Sequence, residues 1–125
     1  AKIDVINPAT GKVVDTVPSG TLEDLDKAIP LLPKQSGLTA EELGRTTQGA
    51  ALALKARAAL FEGTWQKYHG MADAGKYLDL AIQAAQAIVD SKEYELYREK
   101  GELSYKYLHI LEGDDSKEVL LASDS

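Results

Sequence analysis

A chain of 125 residues is the size of one small domain, and 44% hydrophobic content with only 6% aromatic residues points to a single core built mostly of Ala, Leu, Ile and Val. A net charge of -6 argues against a phosphate-tracking surface of clustered Lys and Arg, so nucleic acid is not an expected partner. The absence of Cys excludes disulfides, thiolate nucleophiles and Cys-ligated zinc, and no apolar run is long enough to cross a bilayer as a helix.

Residues 3 to 6 and 12 to 17 read as two short strands separated by Asn7-Pro8-Ala9-Thr10-Gly11, whose Pro and Gly suit a turn, and the pair is expected to close as a β-hairpin. Thr21 is the expected N-cap of a first helix. Its hydroxyl can accept from a first-turn backbone N–H, and Glu23, Asp24 and Asp26 suit the positive end of the helix dipole. Leu22, Leu25, Ile29 and Leu32 fall near one face, and Pro30 removes an internal hydrogen bond, so the helix should end or kink near Ile29, with Pro33 reinforcing the stop. Residues 34 to 38 form a linker, and Thr39 with Glu42 has the spacing of a capping box for a turn that Gly44 interrupts.

From residue 46 to 68 the period is helical. Ala50, Ala53, Leu54, Arg57, Leu60, Phe61, Thr64, Trp65 and Tyr68 recur at threes and fours, with Gln48, Lys55, Glu62 and Gln66 toward the other side. This period predicts that Phe61 and Trp65 face the core and that Tyr68, at the helix end, is the most exposed of the three rings. Gly63 costs about 1 kcal/mol of helicity relative to Ala and is read as a point of close backbone approach. Asp73 is the expected cap of a second long helix over residues 74 to 90, whose apolar stripe is Tyr77, Leu80, Ala81, Ala84, Ala85 and Ile88.

The short connection over residues 69 to 72 requires the two helices to run antiparallel, and alanines at facing positions permit close packing of the tetratricopeptide-like kind. Farther on, Tyr94, Leu96 and Tyr97 alternate in an extended manner and residues 103 to 111 allow a short helix. Residues 118 to 122 read as a terminal strand after a Gly113-Asp114-Asp115-Ser116 turn. The expected fold is mainly α: a tetratricopeptide-like antiparallel helical hairpin with a short N-terminal β-hairpin and a minor C-terminal strand. It is read as one domain, 1 to 125, divided into a β-hairpin (1 to 20), a short helix (21 to 33), the helical hairpin (39 to 91) and a mixed C-terminal segment (92 to 125).

The stretch GRTTQGAALALKARAALFEGTWQKYHG at residues 44 to 70, with LEDLDKAIPLLPKQSG before it and KYLDLAIQAAQAIVDSKEYELY and SYKYLHILEGDDSKEVLLA after it, resembles the SusD-like (RagB-type) family over about residues 22 to 122. The resemblance implies a non-catalytic piece of a cell-surface lipoprotein that binds glycan or another nutrient and partners a TonB-dependent outer-membrane transporter. Members of that family are several times longer, so the chain looks like an internal helical segment. They also carry a signal peptide and an acylated Cys, which have no counterpart in this sequence, and the start at Ala1 fits a processed or trimmed chain.

In that family the glycan is gripped largely by loop residues outside this segment, so no binding residue carries over. The opening IDVINPATGKVVDTVPSGTLEDLDKAI, residues 3 to 29, also resembles the extreme N-terminus of aldehyde dehydrogenases, where a similar hairpin precedes the first helix. The catalytic Cys of those enzymes has no counterpart, so the likeness is read as local, or as a join between unrelated segments. Two alternatives stand beside the SusD-like reading: a stand-alone helical protein-protein interaction module, and a fragment or engineered join without function of its own.

Gly70-Met71-Ala72-Asp73-Ala74-Gly75-Lys76 satisfies the first seven positions of a phosphate-binding P-loop. Tyr77 stands where a Ser or Thr would hold magnesium, a helix is expected before the loop where a strand is needed, and Asp73 sets negative charge beside the phosphates, so no nucleotide cofactor is expected. Phe61, Trp65 and Tyr68 lie at i, i+4 and i+7. Trp65 and Tyr68 are the weak ligand-binding candidates, as a platform for sugar rings, against the core reading of the same stripe.

His69 and His109 lack a metal-motif partner, Asp114 and Asp115 lack the ligand pattern of a calcium loop, and no Gly-x-Ser-x-Gly elbow occurs. No catalytic residue, metal or cofactor is expected, and the chain is read as a non-enzyme. Arg57, between Ala53, Ala56 and Leu60, is expected to pair with a carboxylate or a carbonyl.

Overall fold

The computed structural model describes residues 2 to 42, 44 to 110, 113 and 116 to 121. Strands β1 (Lys2–Ile6) and β2 (Val13–Pro18) pair antiparallel, with Ile3 opposite Val17 and Val5 opposite Asp15. Ile6 then pairs with Val13, which leaves Val14 as a bulge in β2. Gly11, at φ 67°, closes the connection, and its N–H and that of Thr10 both donate to the Asn7 carbonyl. Every residue of both strands is exposed, so the hairpin rests on its own ladder and not on the helices.

Helix α1 (Leu22–Ala28) begins with a reciprocal cap: the Asp24 N–H donates to the Thr21 hydroxyl oxygen at 3.2 Å, and the Thr21 N–H donates to the Asp24 carboxylate at 3.0 Å. Pro30 ends it as expected, and a 3₁₀ turn over Ile29–Leu31 follows. Only half of the box expected at Thr39 forms, through the Thr39 N–H on the Glu42 carboxylate at 3.2 Å.

Helix α2 (Gln48–Tyr68) starts under the fully buried Thr47, whose hydroxyl accepts from the Ala50 N–H at 3.2 Å. Its first turn is tied to the segment after α1, because the Gln48 side-chain amide donates to the Leu32 carbonyl and the Gln48 N–H to that of Pro33, both at 2.9 Å. An ion pair between Lys55 and Asp26 joins α1 to α2.

Helix α3 (Ala74–Ser91) returns antiparallel along α2. Gln66 reaches the Asp73 N–H through its side-chain oxygen at 3.0 Å, and Gly63 lies against Leu78. The seam is made of small residues: Ala59 and Gly63 from α2 meet Ala81 and Ala84 from α3, and Ala59 is 0% exposed. Small side chains let the helix axes come close, so stability comes from many short dispersion contacts and not from large buried side chains.

After α3 the chain turns at Lys92, in the left-handed region at φ 54°, and folds back. The Glu93 carboxylate accepts from the N–H and hydroxyl of Ser36, each at 3.0 Å, and the Tyr94 ring covers Gly49. The segment from 93 to 98 is irregular and is held by residues 116 to 119, through the Glu95 N–H on the Lys117 carbonyl and the Tyr97 N–H on the Glu118 carboxylate. The short helix expected within 103 to 111 is α4 (Ser104–Leu108); residues 109 and 110 are turn and bend, and Leu111 lies outside the described residues.

The terminal strand expected over 118 to 122 is corrected: residues 118 to 121 lie in turn, bend and irregular backbone, and Ala122 lies outside the described residues. The segment they meet supplies side-chain and isolated backbone contacts, not a ladder. Asp114 and Asp115 of the expected turn also lie outside the described residues, while the Ser116 N–H does donate to the Gly113 carbonyl at 3.0 Å.

Candidate functional site: the aromatic face of helix α2

The small residues that α2 turns toward α3 leave the opposite arc of the helix to solvent. On that arc lie Leu54, Phe61, Trp65 and Tyr68, with Phe61 69% exposed, Trp65 52% and Tyr68 79%. The expectation that Phe61 and Trp65 face the core is therefore corrected, and the two sides of α2 are exchanged: Gln66 is buried and Lys55 and Glu62 are partly covered. The reason is steric. At the separation set by Ala59 and Gly63 there is no room for an indole or a phenyl ring between the helices. The exposure expected of Tyr68 is found.

Arg57 is exposed on the same side as the rings, and among the described residues it forms no salt bridge, so the pairing expected for it is corrected too. A guanidinium in water needs no fixed partner.

The rings are not loose ornaments of the helix. His69, the C-cap of α2, stacks on Trp65 with ring centroids 3.9 Å apart and planes 21° from parallel, and its Nδ1 lies 2.8 Å from the Trp65 carbonyl oxygen. A carbonyl only accepts, so Nδ1 carries the hydrogen there and the imidazole is pinned against the indole. One indole face is thus supported and the rest of the ring is half open. Tyr68, three residues on, is exposed on the same side of the helix.

Sequence reasoning missed that this pairing occurs twice. His109, the C-cap of α4, tilts onto Tyr105 at 4.5 Å and places Nδ1 2.8 Å from the Tyr105 carbonyl. The legible signal was an aromatic residue four positions before a His at a helix end.

A second apolar feature adjoins the upper part of this face. An open groove of about 520 Å³ between α1 and α2 is lined by Thr21, Leu22, Leu25, Ala28, Leu54 and Ala58. The larger hollow near the C-terminal segment, about 610 Å³, is walled by charges of both signs, among them Glu95, Arg98, Glu99 and Lys117, and converges on no single chemistry.

The P-loop-like stretch is a helix-to-helix turn. Gly70 takes φ 66°, α3 begins at Ala74, and the Lys76 ammonium sits 5.7 Å from the Tyr77 ring centroid. Asp73 stands at the N-cap position of α3, but its side chain makes no capping bond; the Gln66 side chain, buried in the seam, takes the Asp73 N–H instead. Among the described residues no group of His, Asp and Glu is placed to hold a metal ion, and no helix is long and apolar enough to cross a membrane.

Two carboxylates are held below the usual carboxylate range. Asp24 is lowered by accepting the Thr21 backbone N–H and then its hydroxyl, and Glu42 by the Thr39 backbone N–H, with Thr39's side chain and Arg45 contributing less. Both are capping interactions at the surface and belong to structure, not chemistry.

Fold and site together define a mainly helical protein, with a small N-terminal antiparallel β-hairpin, that offers an uncovered aromatic ridge. No family model, no curated protein and no solved structure matches the chain.

Proposed function

We propose that the chain acts by contact and not by catalysis, as a helical segment of a SusD-like cell-surface protein that binds glycan or another nutrient beside a TonB-dependent transporter. The observation that carries this reading is the outward placement of Trp65 and Tyr68 on α2, with His69 bracing the indole. An exposed indole held against an imidazole, with a second exposed ring one helical turn on, can stack on the apolar face of a sugar at reduced cost in side-chain ordering. The resemblance over residues 22 to 122 supplies the family, the cell-surface location and the transporter partner in this reading; the exposed ring pair supplies the surface.

A helical interaction module without a carbohydrate role is the second reading, and one feature favours it. The ridge runs on from the rings through Phe61, Ala58 and Leu54, farther than a single sugar stack would use, and contiguous exposed apolar surface of that kind is typical of protein-protein contact.

A glycan array probed with the whole chain, alongside thermal melts, separates the two. The glycan reading expects weak, saturable binding that is lost in Trp65→Ala and Tyr68→Ala while both variants remain folded. An array that stays blank at high protein concentration, with wild type folded, removes the carbohydrate role and leaves the contact surface to a protein partner.

A further inference from the structure

The N-terminal hairpin has features that neither the helical core nor the ridge explains. Two strands alone are marginal in water, yet no strand residue is buried and, among the described residues, the sheet has only these two members. Its two outer edges differ. On β2 the edge is blunted by Pro18, which has no N–H to offer, and by the bulge at Val14. On β1 the edge is free of proline and regular from Lys2 to Val5.

The sequence of that edge is complementary to itself. If a second β1 lies antiparallel with Ile3 opposite Ile3, then Lys2 of each strand stands opposite Asp4 of the other, on one face, and the Ile3 side chains meet on the opposite face. Neighbouring registers lose this match. Centring on Asp4 sets carboxylate against carboxylate, and centring between Ile3 and Asp4 sets an apolar side chain against a charge. Among the described residues neither Lys2 nor Asp4 takes part in an ion pair within its own chain, so both are free to make this one.

We propose that the outer edge of β1 is a self-association site. Two copies pair β1 with β1, antiparallel about Ile3, and join their two-stranded hairpins into one continuous four-stranded sheet. The occupant is a second copy of this chain, chosen by the Lys2–Asp4 cross-pairs, and the enlarged sheet passes the strand number at which β-structure holds in water. The symmetry is isologous, so the association stops at a dimer.

Charge reversal tests the register on the intact chain. Sedimentation velocity over a wide concentration range should find wild type in a monomer–dimer equilibrium. Lys2→Asp and Asp4→Lys, each of which sets like charges opposite one another twice, should each weaken dimerisation by roughly tenfold or more. The double variant Lys2→Asp/Asp4→Lys restores opposite charges and should recover the wild-type constant, and the two single variants mixed together should form a heterodimer. Because the hairpin stands apart from the helices, far-ultraviolet circular dichroism should keep its helical signal in all of them. A wild type that stays monomeric at every concentration overturns the proposal. So do single reversals that dimerise like wild type, and so does a dimer abolished by Phe61→Ser but indifferent to the reversals, which would place the contact on the α2 ridge.

Discussion

Replacing Gly63 by alanine sets helix propensity against packing, and the structure decides which wins. In an isolated helix the substitution would stabilise by about 1 kcal/mol. Here a Cβ at position 63 would stand 2.9 Å and 3.0 Å from the Leu78 side chain and 3.0 Å from its backbone nitrogen. The Leu78 side chain can rotate away, but the backbone nitrogen moves only if α3 moves. Pushing α3 outward loosens the contacts of Ala59, Ala81 and Ala84 on either side, and overpacking of this kind costs about 1 to 3 kcal/mol. The propensity gain offsets part of that, which leaves a net loss of about 1 kcal/mol, with 2 as the upper end.

Gly75 is the internal control, because it lies in the first turn of α3 with no left-handed backbone, and a methyl group added there would meet nothing within 4 Å. Gly75→Ala should therefore be neutral to stabilising, by up to about 1 kcal/mol. Urea denaturation followed by helical circular dichroism measures both, provided the slopes match wild type. A Gly63→Ala variant with a midpoint equal to or above wild type would refute the close-approach argument and with it the small-residue seam.

Trp65→Ala should lower stability by only about 1 to 2 kcal/mol, because half of the ring is already in water, where a fully buried indole would cost about 3 to 5; thermal melts distinguish the two, and the larger value would put Trp65 in the core. Asp24 should titrate below its ordinary value, since its carboxylate accepts from Thr21; the sign follows, for a depressed folded-state value means that the cap's contribution is present above the unfolded value of 3.8 and is lost as pH falls through the folded one. Following the Thr21 amide by NMR across acidic pH checks this, and an unshifted midpoint that is the same for Asp24 and an uncapped Asp would mean that the box does not form in solution. Magnesium-ATP should give no heat of binding by calorimetry, because Tyr77 stands at the magnesium position and a helix precedes the turn; saturable binding abolished by Lys76→Ala would reverse that conclusion.

Where an element depends on its neighbours in the chain, the amino-acid sequence determined it. Thr21 and Asp24 define the start of α1 because both partners of the cap lie within one turn, and Pro30 ends the helix because its ring removes a donor whatever surrounds it. The N-terminal hairpin and the two long helices were legible for the same reason, and so was most of the stripe on α3, where Ala81 and Ala84 are buried and Ala85 alone turns outward.

Only tertiary structure decided which side of α2 is inside. Alanines run around nearly the whole circumference of that helix, so its hydrophobic period is shallow, and the stripe that carries the larger rings reads from the sequence as the inner face. Packing selects by size instead: a seam drawn close by Ala59 and Gly63 accepts Gln66, whose amide finds Glu62 and the Asp73 N–H, and turns Phe61, Trp65 and Tyr68 out. The candidate site follows from that exclusion, since the separation of two helices is a property of the pair and is written in neither helix alone.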